Sequence, residues 1–88
     1  MKISSIIFKK FKKIDFLINN SGTNVLGPIG KIKVNDWKKI IDVNLTGPFL
    51  LTQNLFKLLK KNSLILNMGS IASRQGFTNW SSYCASKF

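Results

Sequence analysis

Two short apolar runs, each followed by a polar turn, constrain the fold of this chain more than any other feature. Residues 14–18 read IDFLI and stop at the turn NNSG, while residues 64–68 read LILNM and stop at Gly69-Ser70. Neither run alternates polar with apolar side chains, a pattern typical of parallel strands buried on both faces. We therefore expect two buried parallel strands whose carboxyl ends carry polar turns.

A long helix is predicted between the two strands. A loop rich in Gly and Pro comes first, and Asn35 or Asp36 is then placed to cap a helix that reaches Lys60 or Lys61. Lysines in the last turns favour such an end, because cations are stabilised near a helix C-terminus.

Helices are also predicted on either side of this unit. Residues 3–14 carry apolar side chains at helical spacing with lysines between them, which indicates a packing helix in preference to one lying on a membrane surface. Residues 83–88 begin a last helix, which Asn79, Ser81 or Ser82 would cap. The order helix, strand, long helix, strand, start of helix predicts an α/β fold, a fragment of a doubly wound Rossmann-type parallel sheet.

The net charge, the absence of histidine and the single cysteine exclude several classes of function. Fourteen basic against three acidic residues give a formal net charge of +11, which favours an anionic partner such as nucleic acid. Every basic residue except Arg74 is a lysine, however, and specific readers of nucleic acid favour arginine, so a solvated lysine surface is the better interpretation. The absence of histidine and the single cysteine, Cys84, exclude a zinc site, a Ser-His or Cys-His nucleophile and an internal disulfide. With no signal-peptide core, we expect a cytoplasmic protein.

Tyr83 and Lys87 form the first candidate catalytic pair. They are four residues apart, so on a helix their side chains share one face. A lysine ammonium at that distance stabilises a phenolate, which suits a tyrosine that exchanges protons with a substrate. Taken alone, the pair is also compatible with a chance surface contact.

Asn44 and Pro48 mark an unusual place on the long helix. Asn44 falls within the apolar stripe, and a buried amide must find hydrogen-bond partners. Pro48 has no N–H, so the helical bond to the Asn44 carbonyl cannot form and a kink is expected. Either an inward-facing functional carbonyl or a packing kink with a buried water accounts for this pattern.

Two turns at the predicted strand ends supply the other candidates. Ser70 follows the second strand, at the edge where open α/β sheets bind ligands. The turn NNSG at residues 19–22 lies at the same edge, where Gly22 allows close backbone approach and the asparagine amides can tie neighbouring strand ends together. Each is also an ordinary turn sequence when judged alone.

Together these motifs resemble the short-chain dehydrogenase/reductase family, in which Asn-Asn-Ala-Gly is followed by an active-site Asn, then Ser, then Tyr-x-x-x-Lys. This sequence reads NNSG, then VNLTGPF around Asn44, then NMGS ending at Ser70, then YCASK from Tyr83 to Lys87. The spacing of 13 residues between Ser70 and Tyr83 also matches. The resemblance covers residues 14–88, with Ser21 in place of the alanine.

The resemblance implies an oxidoreductase that uses NAD or NADP and acts on a small alcohol or ketone. Tyr83 would be the general acid/base and Ser70 would position the substrate oxygen. Lys87 would bind the nicotinamide ribose beside Tyr83, and the Asn44 main-chain carbonyl would hold a water that continues the proton relay. The residues expected to line the adenosine side of the cofactor are Asn19, Ser21 and Gly22. Full-length members are expected to be homodimers or homotetramers. For this chain we expect no membrane partner.

The glycine-rich motif TGxxxGxG, which receives the pyrophosphate in this family, does not occur in the 88 residues. We therefore expect residues 1–88 to form a partial NAD(P)-binding domain, without the glycine-rich half and the later strands and helices, that is inactive and folds poorly alone. Two other hypotheses stay open: a non-catalytic module that interacts with a full-length homologue, and a basic nucleic-acid-binding protein.

Overall fold

The computed structural model describes the backbone of residues 2–88 and the side chains of residues 5–88, so the first apolar side chain of the predicted N-terminal helix lies outside the described residues. Four α-helices and two strands follow one another in the predicted order, with the long helix divided in two. The elements are α1 (Lys2–Lys10), β1 (Ile14–Asn19), α2 (Val34–Ile41), α3 (Gly47–Leu55), β2 (Leu59–Asn67) and α4 (Ser81–Lys87).

The two strands pair in parallel, which confirms the α/β class and the strand, helix, strand unit. Phe16 pairs with Leu64 and Ile18 with Leu66, and Asn19 and Asn67 close the ladder at its carboxyl end. The polar turns that follow both strands therefore lie at the same edge of the sheet.

A π turn at Asp42–Thr46 divides the long helix. The Gly47 N–H donates to the carbonyl of Asp42, five residues back, where a regular helix bonds four residues back. Pro48, which has no N–H to donate, follows directly. The predicted interruption near Pro48 therefore takes the form of a π turn, a common way for a helix to absorb such a break.

The predicted bounds of the long helix are wrong at both ends. Its first half begins at Val34 after Lys33, and no side chain caps it, so Asn35 and Asp36 lie in the first turn. Asp36 is still favourably placed there, because a carboxylate is stabilised near a helix N-terminus. At the other end, α3 stops at Leu55 and a 3-10 turn, Phe56–Leu58, leads directly into β2.

The second strand starts earlier than the predicted residue 64 because it contains a bulge. Between the pairs Ile14–Leu59 and Phe16–Leu64, β1 advances by two residues and β2 by five. Asn62 adopts a positive φ of 73° within the extra residues. The Ser63 hydroxyl accepts from the Lys60 N–H (3.0 Å) and donates to the Ile14 carbonyl (2.7 Å), which replaces the interrupted ladder bonds.

None of the three predicted caps serves the last helix. Its N-cap is Trp80, without a capping side chain, and Asn79 before it has a positive φ of 67°. Ser81 and Ser82 lie inside the first turn, where their hydroxyls are buried with no partner among the described residues.

The core lies on one side of the sheet only. Leu17 packs against Leu55 and Leu58, with Ile7 of α1 beside them. The prediction that both strands are buried on both faces is wrong, because the described helices leave the other face uncovered. The exposed side chains of that face, paired across the two strands, are Phe16 (68% exposed), Ile18, Leu64 and Leu66.

Candidate functional site

Asparagine side chains join the two strand ends. The amide of Asn19, which is buried, donates to Oδ1 of Asn67 at 2.7 Å and reaches Oγ1 of Thr52 at 3.4 Å. The expected tie between neighbouring strand ends is therefore present at Asn19. It fixes the position from which the NNSG turn leaves the sheet, against β2 and α3.

The side chain of Asn44 connects three parts of the site by hydrogen bonds. Its Oδ1 accepts from the Thr23 N–H at 2.8 Å, and its Nδ2 donates to the Thr23 carbonyl (2.9 Å) and to Oγ of Ser86 (3.0 Å). The side chain is buried, so these bonds satisfy an amide that would otherwise be costly to enclose. One residue on the π turn thus links the loop after β1 to helix α4.

Thr23 and Ser86 are site residues that the motifs did not identify. Ser86 is buried, and its hydroxyl donates to the Tyr83 carbonyl at 2.7 Å while it accepts from Asn44. Two sequence signals could have identified Ser86: it follows Tyr83 by three residues on the same helix, and the buried Asn44 needs a hydrogen-bond partner. Thr23 carries no such signal, because Asn44 bonds only to its backbone.

The structure brings Ser70, Tyr83 and Lys87 together in one cavity of about 610 Å³ at the carboxyl edge of the sheet. The Lys87 ammonium lies 5.8 Å from the centroid of the Tyr83 ring and donates to the Met68 carbonyl at 3.2 Å. The first turns after β1 line the opposite side of the cavity, through Asn20, Gly22, Thr23 and Asn24.

The Ser70 hydroxyl is fixed by the turn that follows it. Its oxygen accepts from the Ala72 N–H at 3.1 Å, and the Ser70 N–H donates in return to Oγ of Ser73 at 2.9 Å. These reciprocal bonds cap the short 3-10 turn Ile71–Ser73. The Ser70 hydroxyl only accepts in this turn, so its proton can still be donated to a ligand in the cavity.

A second cavity of about 510 Å³ is also lined by Lys87. Asn44 and Pro48 line it from the divided helix, and Asn19 and Ser21 line it from the end of β1. Gly22 belongs to the first cavity, where a β-carbon would approach both Asn44 Oδ1 (3.6 Å) and Lys87 Nζ (3.7 Å). The seven predicted site residues thus surround two cavities that share Lys87.

Aromatic side chains pack along one side of the first cavity. Trp80 lines it, and its ring meets the Tyr83 ring edge to face at a centroid distance of 5.7 Å. Phe77 contacts Trp80 at 4.9 Å and is not part of the lining. Trp80 is therefore the aromatic residue placed to touch a ligand, and Phe77 supports it.

Lys87 and Gly22 lie close together at this site. The Lys87 ammonium can donate hydrogen bonds to ligand hydroxyls, and the absence of a side chain on Gly22 lets the loop backbone approach both Lys87 and Asn44. Among residues 5–88, no three His, Cys, Asp or Glu side chains are grouped as metal ligands. None of the described helices has the length and apolar character to cross a membrane.

Comparison with known proteins places the chain in a family. The family model for short chain dehydrogenases matches residues 1–88. The chain is 39% identical over 80 residues to a 3-oxoacyl-[acyl-carrier-protein] reductase of Synechocystis sp., an alignment that covers 89% of this chain and 32% of the relative. In that relative and in others of similar identity, the chain spans about a third of the whole length.

Solved structures agree in fold. A short-chain dehydrogenase/reductase, a glucose/ribitol dehydrogenase from Brucella melitensis, superposes with a TM-score of 0.89 at 30% identity, over 98% of this chain and 36% of that one. A 4-hydroxyisoleucine dehydrogenase complexed with NADH and succinate gives 0.84 at 28% identity, over 98% and 42%. The chain belongs to the short-chain dehydrogenase family of oxidoreductases.

Proposed function

We propose that this chain supplies the catalytic segment of an NAD(P)-dependent oxidoreductase that acts on a small alcohol or ketone. The observation that carries the proposal is the shared cavity of Ser70, Tyr83 and Lys87 at the carboxyl edge of a parallel sheet. The bound nicotinamide would supply or accept the hydride. The three side chains provide a proton donor, a hydrogen-bond donor and a cation within one enclosure, which is what reduction of a carbonyl requires.

Tyr83 is the proposed general acid/base. Its phenol gives a proton to the substrate oxygen during reduction and takes it back during oxidation. The Ser70 hydroxyl, held by the turn at Ile71–Ser73, donates a hydrogen bond to the same oxygen and orients it. Trp80 holds the Tyr83 ring in place through its edge-to-face contact.

Lys87 has two proposed roles, one in each cavity. Its ammonium stabilises the phenolate of Tyr83 and binds the nicotinamide ribose in the first cavity. In the second cavity, a water held by the Asn44 main-chain carbonyl would return protons to Lys87 from solvent. The lining of that cavity by Asn44, Pro48 and Lys87 supports this path, since Pro48 cannot donate to the carbonyl of Asn44.

The cofactor side is assigned to Asn19, Ser21 and Gly22, next to the adenosine half. In this proposal residues 1–88 are a partial NAD(P)-binding domain that takes NAD or NADP, acts in the cytoplasm and belongs to an oligomeric enzyme. The 88 residues alone are proposed to be inactive, because they lack the glycine-rich motif that would receive the pyrophosphate of the cofactor.

A chimera tests this proposal. The segment of the Synechocystis reductase that aligns with this chain is replaced by residues 1–88, and NADH or NADPH consumption is followed with a 3-oxoacyl thioester as substrate. We expect substrate-dependent consumption of one of the two cofactors. A chimera that folds cooperatively and binds the cofactor, yet consumes none with this substrate or with simple ketones, would overturn the proposal.

A further inference from the structure

Strand pairing brings together two lysine clusters that are far apart in the sequence. Lys9, Lys10, Lys12 and Lys13 lie at the end of α1 and before β1, and a second group lies around the start of β2. Ile14 pairs with Leu59, so the two groups meet at the amino edge of the sheet, opposite the candidate site. The second group consists of Lys57, Lys60 and Lys61.

Local structure keeps both clusters at this edge. The bulge in β2 carries Lys60 and Lys61, and Ser63 fastens it to Ile14 through its hydroxyl. Lys60 also donates from Nζ to the Lys57 carbonyl at 2.8 Å, at the end of the 3-10 turn. All seven lysines are exposed.

Exposed phenylalanines lie among these lysines. Phe8 (42% exposed) precedes the first cluster, Phe11 (57%) lies within it, and Phe56 (66%) directly precedes Lys57. Ile7 packs on the core cluster of Leu55 and Leu58, so α1 and the 3-10 turn are held side by side. We call the seven lysines and three phenylalanines the lysine–phenylalanine edge.

Acidic side chains are nearly absent from this edge. The whole sequence has three, Asp15, Asp36 and Asp42. Asp15 pairs with Lys13 at 3.0 Å, and the other two lie on α2 and the π turn. The edge therefore carries a net positive charge of +6, from seven lysines and one aspartate.

We propose that the lysine–phenylalanine edge binds the surface of an anionic phospholipid bilayer. Lysines attract the acidic headgroups, and exposed aromatic side chains insert at the boundary between headgroups and acyl chains. The use of lysine throughout, with no arginine at the edge, favours a lipid surface over nucleic acid. This proposal departs from the expectation of no membrane partner, because pairing of the strands places a second lysine cluster beside the first. Binding at this edge leaves the candidate site facing away from the bilayer.

Sedimentation with vesicles tests the proposal on the chimeric reductase, in which residues 1–88 are expected to fold cooperatively. Vesicles of phosphatidylserine and phosphatidylcholine are compared with vesicles of phosphatidylcholine alone. We expect binding to the anionic vesicles only, weakened by added salt. Replacing Lys12, Lys57, Lys60 and Lys61 by Gln should weaken it roughly 100- to 1000-fold.

A matched control variant distinguishes binding through this edge from binding driven by the net charge of the whole chain. The control replaces Lys31, Lys33, Lys38 and Lys39 by Gln, which removes the same charge elsewhere, and should weaken binding less than about tenfold. Equal losses in the two variants would overturn the proposal, because they would show that net charge alone governs binding.

A second comparison tests the aromatic contribution and the competing ligand. Phe11→Ser with Phe56→Ser should weaken vesicle binding, whereas Phe16→Ser with Phe49→Ser, also exposed in the wild type, should not. Tighter binding to labelled single-stranded DNA than to anionic vesicles, lost in the same lysine variant, would assign the edge to nucleic acid instead. Equal binding to phosphatidylcholine vesicles would show apolar adhesion and also overturn the proposal.

Discussion

Asn44 fixes the geometry of the candidate site through its side-chain hydrogen bonds. Its side chain bonds both backbone groups of Thr23 and the hydroxyl of Ser86. Ser86 in turn bonds the Tyr83 carbonyl. The loop after β1 and the helix that carries Tyr83 and Lys87 are therefore positioned against each other by a single buried amide.

Removing that amide should destabilise the fold. In the chimeric reductase, we expect Asn44→Ala to lower the free energy of unfolding by about 1–3 kcal/mol, because Thr23 and Ser86 lose their partners in a partly buried place. Urea denaturation measures the change. Asn54→Ala is the control: its amide bonds only the Leu50 carbonyl of its own helix at the surface, and its loss should cost under about 0.5 kcal/mol. Equal effects would show that the Asn44 bonds contribute nothing beyond those of a surface asparagine.

Among the elements, the divided helix α2–α3 contributes most to the site. The π turn at Asp42–Thr46 places Asn44 towards the loop and α4, and Gly47 closes that turn. A β-carbon on Gly47 would lie 3.0 Å from the Asp42 carbonyl oxygen, the same atom that its N–H bonds. The turn therefore has little room for a side chain there.

Substitution of this glycine tests the π turn. Gly47→Ala in the chimera should lower the free energy of unfolding by about 1 kcal/mol, through crowding of the Asp42 carbonyl. Gly30→Ala, where a β-carbon meets nothing within 4 Å, should not destabilise. Urea unfolding of both variants gives the comparison. Stabilisation by Gly47→Ala, the usual effect of alanine in a helix, would show that the π turn does not persist.

The sequence predicts which helices and strands occur better than it predicts the residues at which they begin and end. Uniform apolar runs suffice to identify β1 and β2, and Pro48 suffices to locate the break in the helix. The start of β2 was missed because its bulge depends on Ser63 reaching Ile14, a contact between residues 49 positions apart. The family motifs identified the predicted site residues. Ser86 could have been found only through its spacing from Tyr83 and the buried Asn44, and the N-cap at Trp80 has no local sequence signal.

The whole molecule is less compact than a domain of its length. Its radius of gyration is 15.5 Å, against about 12 Å for a compact domain of 88 residues. Its accessible surface is 6679 Å², against about 5200 Å² for a folded protein of this mass. The excess includes the uncovered sheet face with Phe16, Ile18, Leu64 and Leu66.

This shape predicts how the isolated 88 residues behave. We expect them to bind the hydrophobic dye ANS and to melt without a cooperative transition, because the small core cannot offset the conformational entropy of folding. Fluorescence and scanning calorimetry provide the readouts, and the chimera is the control that should melt cooperatively. A sharp calorimetric transition of the isolated chain without dye binding would mean that the exposed face is covered in solution, as by a second copy.

The most direct test of the proposed catalytic role of Tyr83 is to remove its hydroxyl in the chimeric reductase. Tyr83→Phe keeps the ring and its packing on Trp80 but removes the proposed proton donor. We predict a fall in kcat of about 10²- to 10⁴-fold with cofactor binding retained. Thr78→Val, which removes an exposed hydroxyl from the preceding loop, should leave kcat unchanged. A Tyr83→Phe chimera that turns over as fast as its parent would contradict the assignment of Tyr83, and with it the proposed catalytic site.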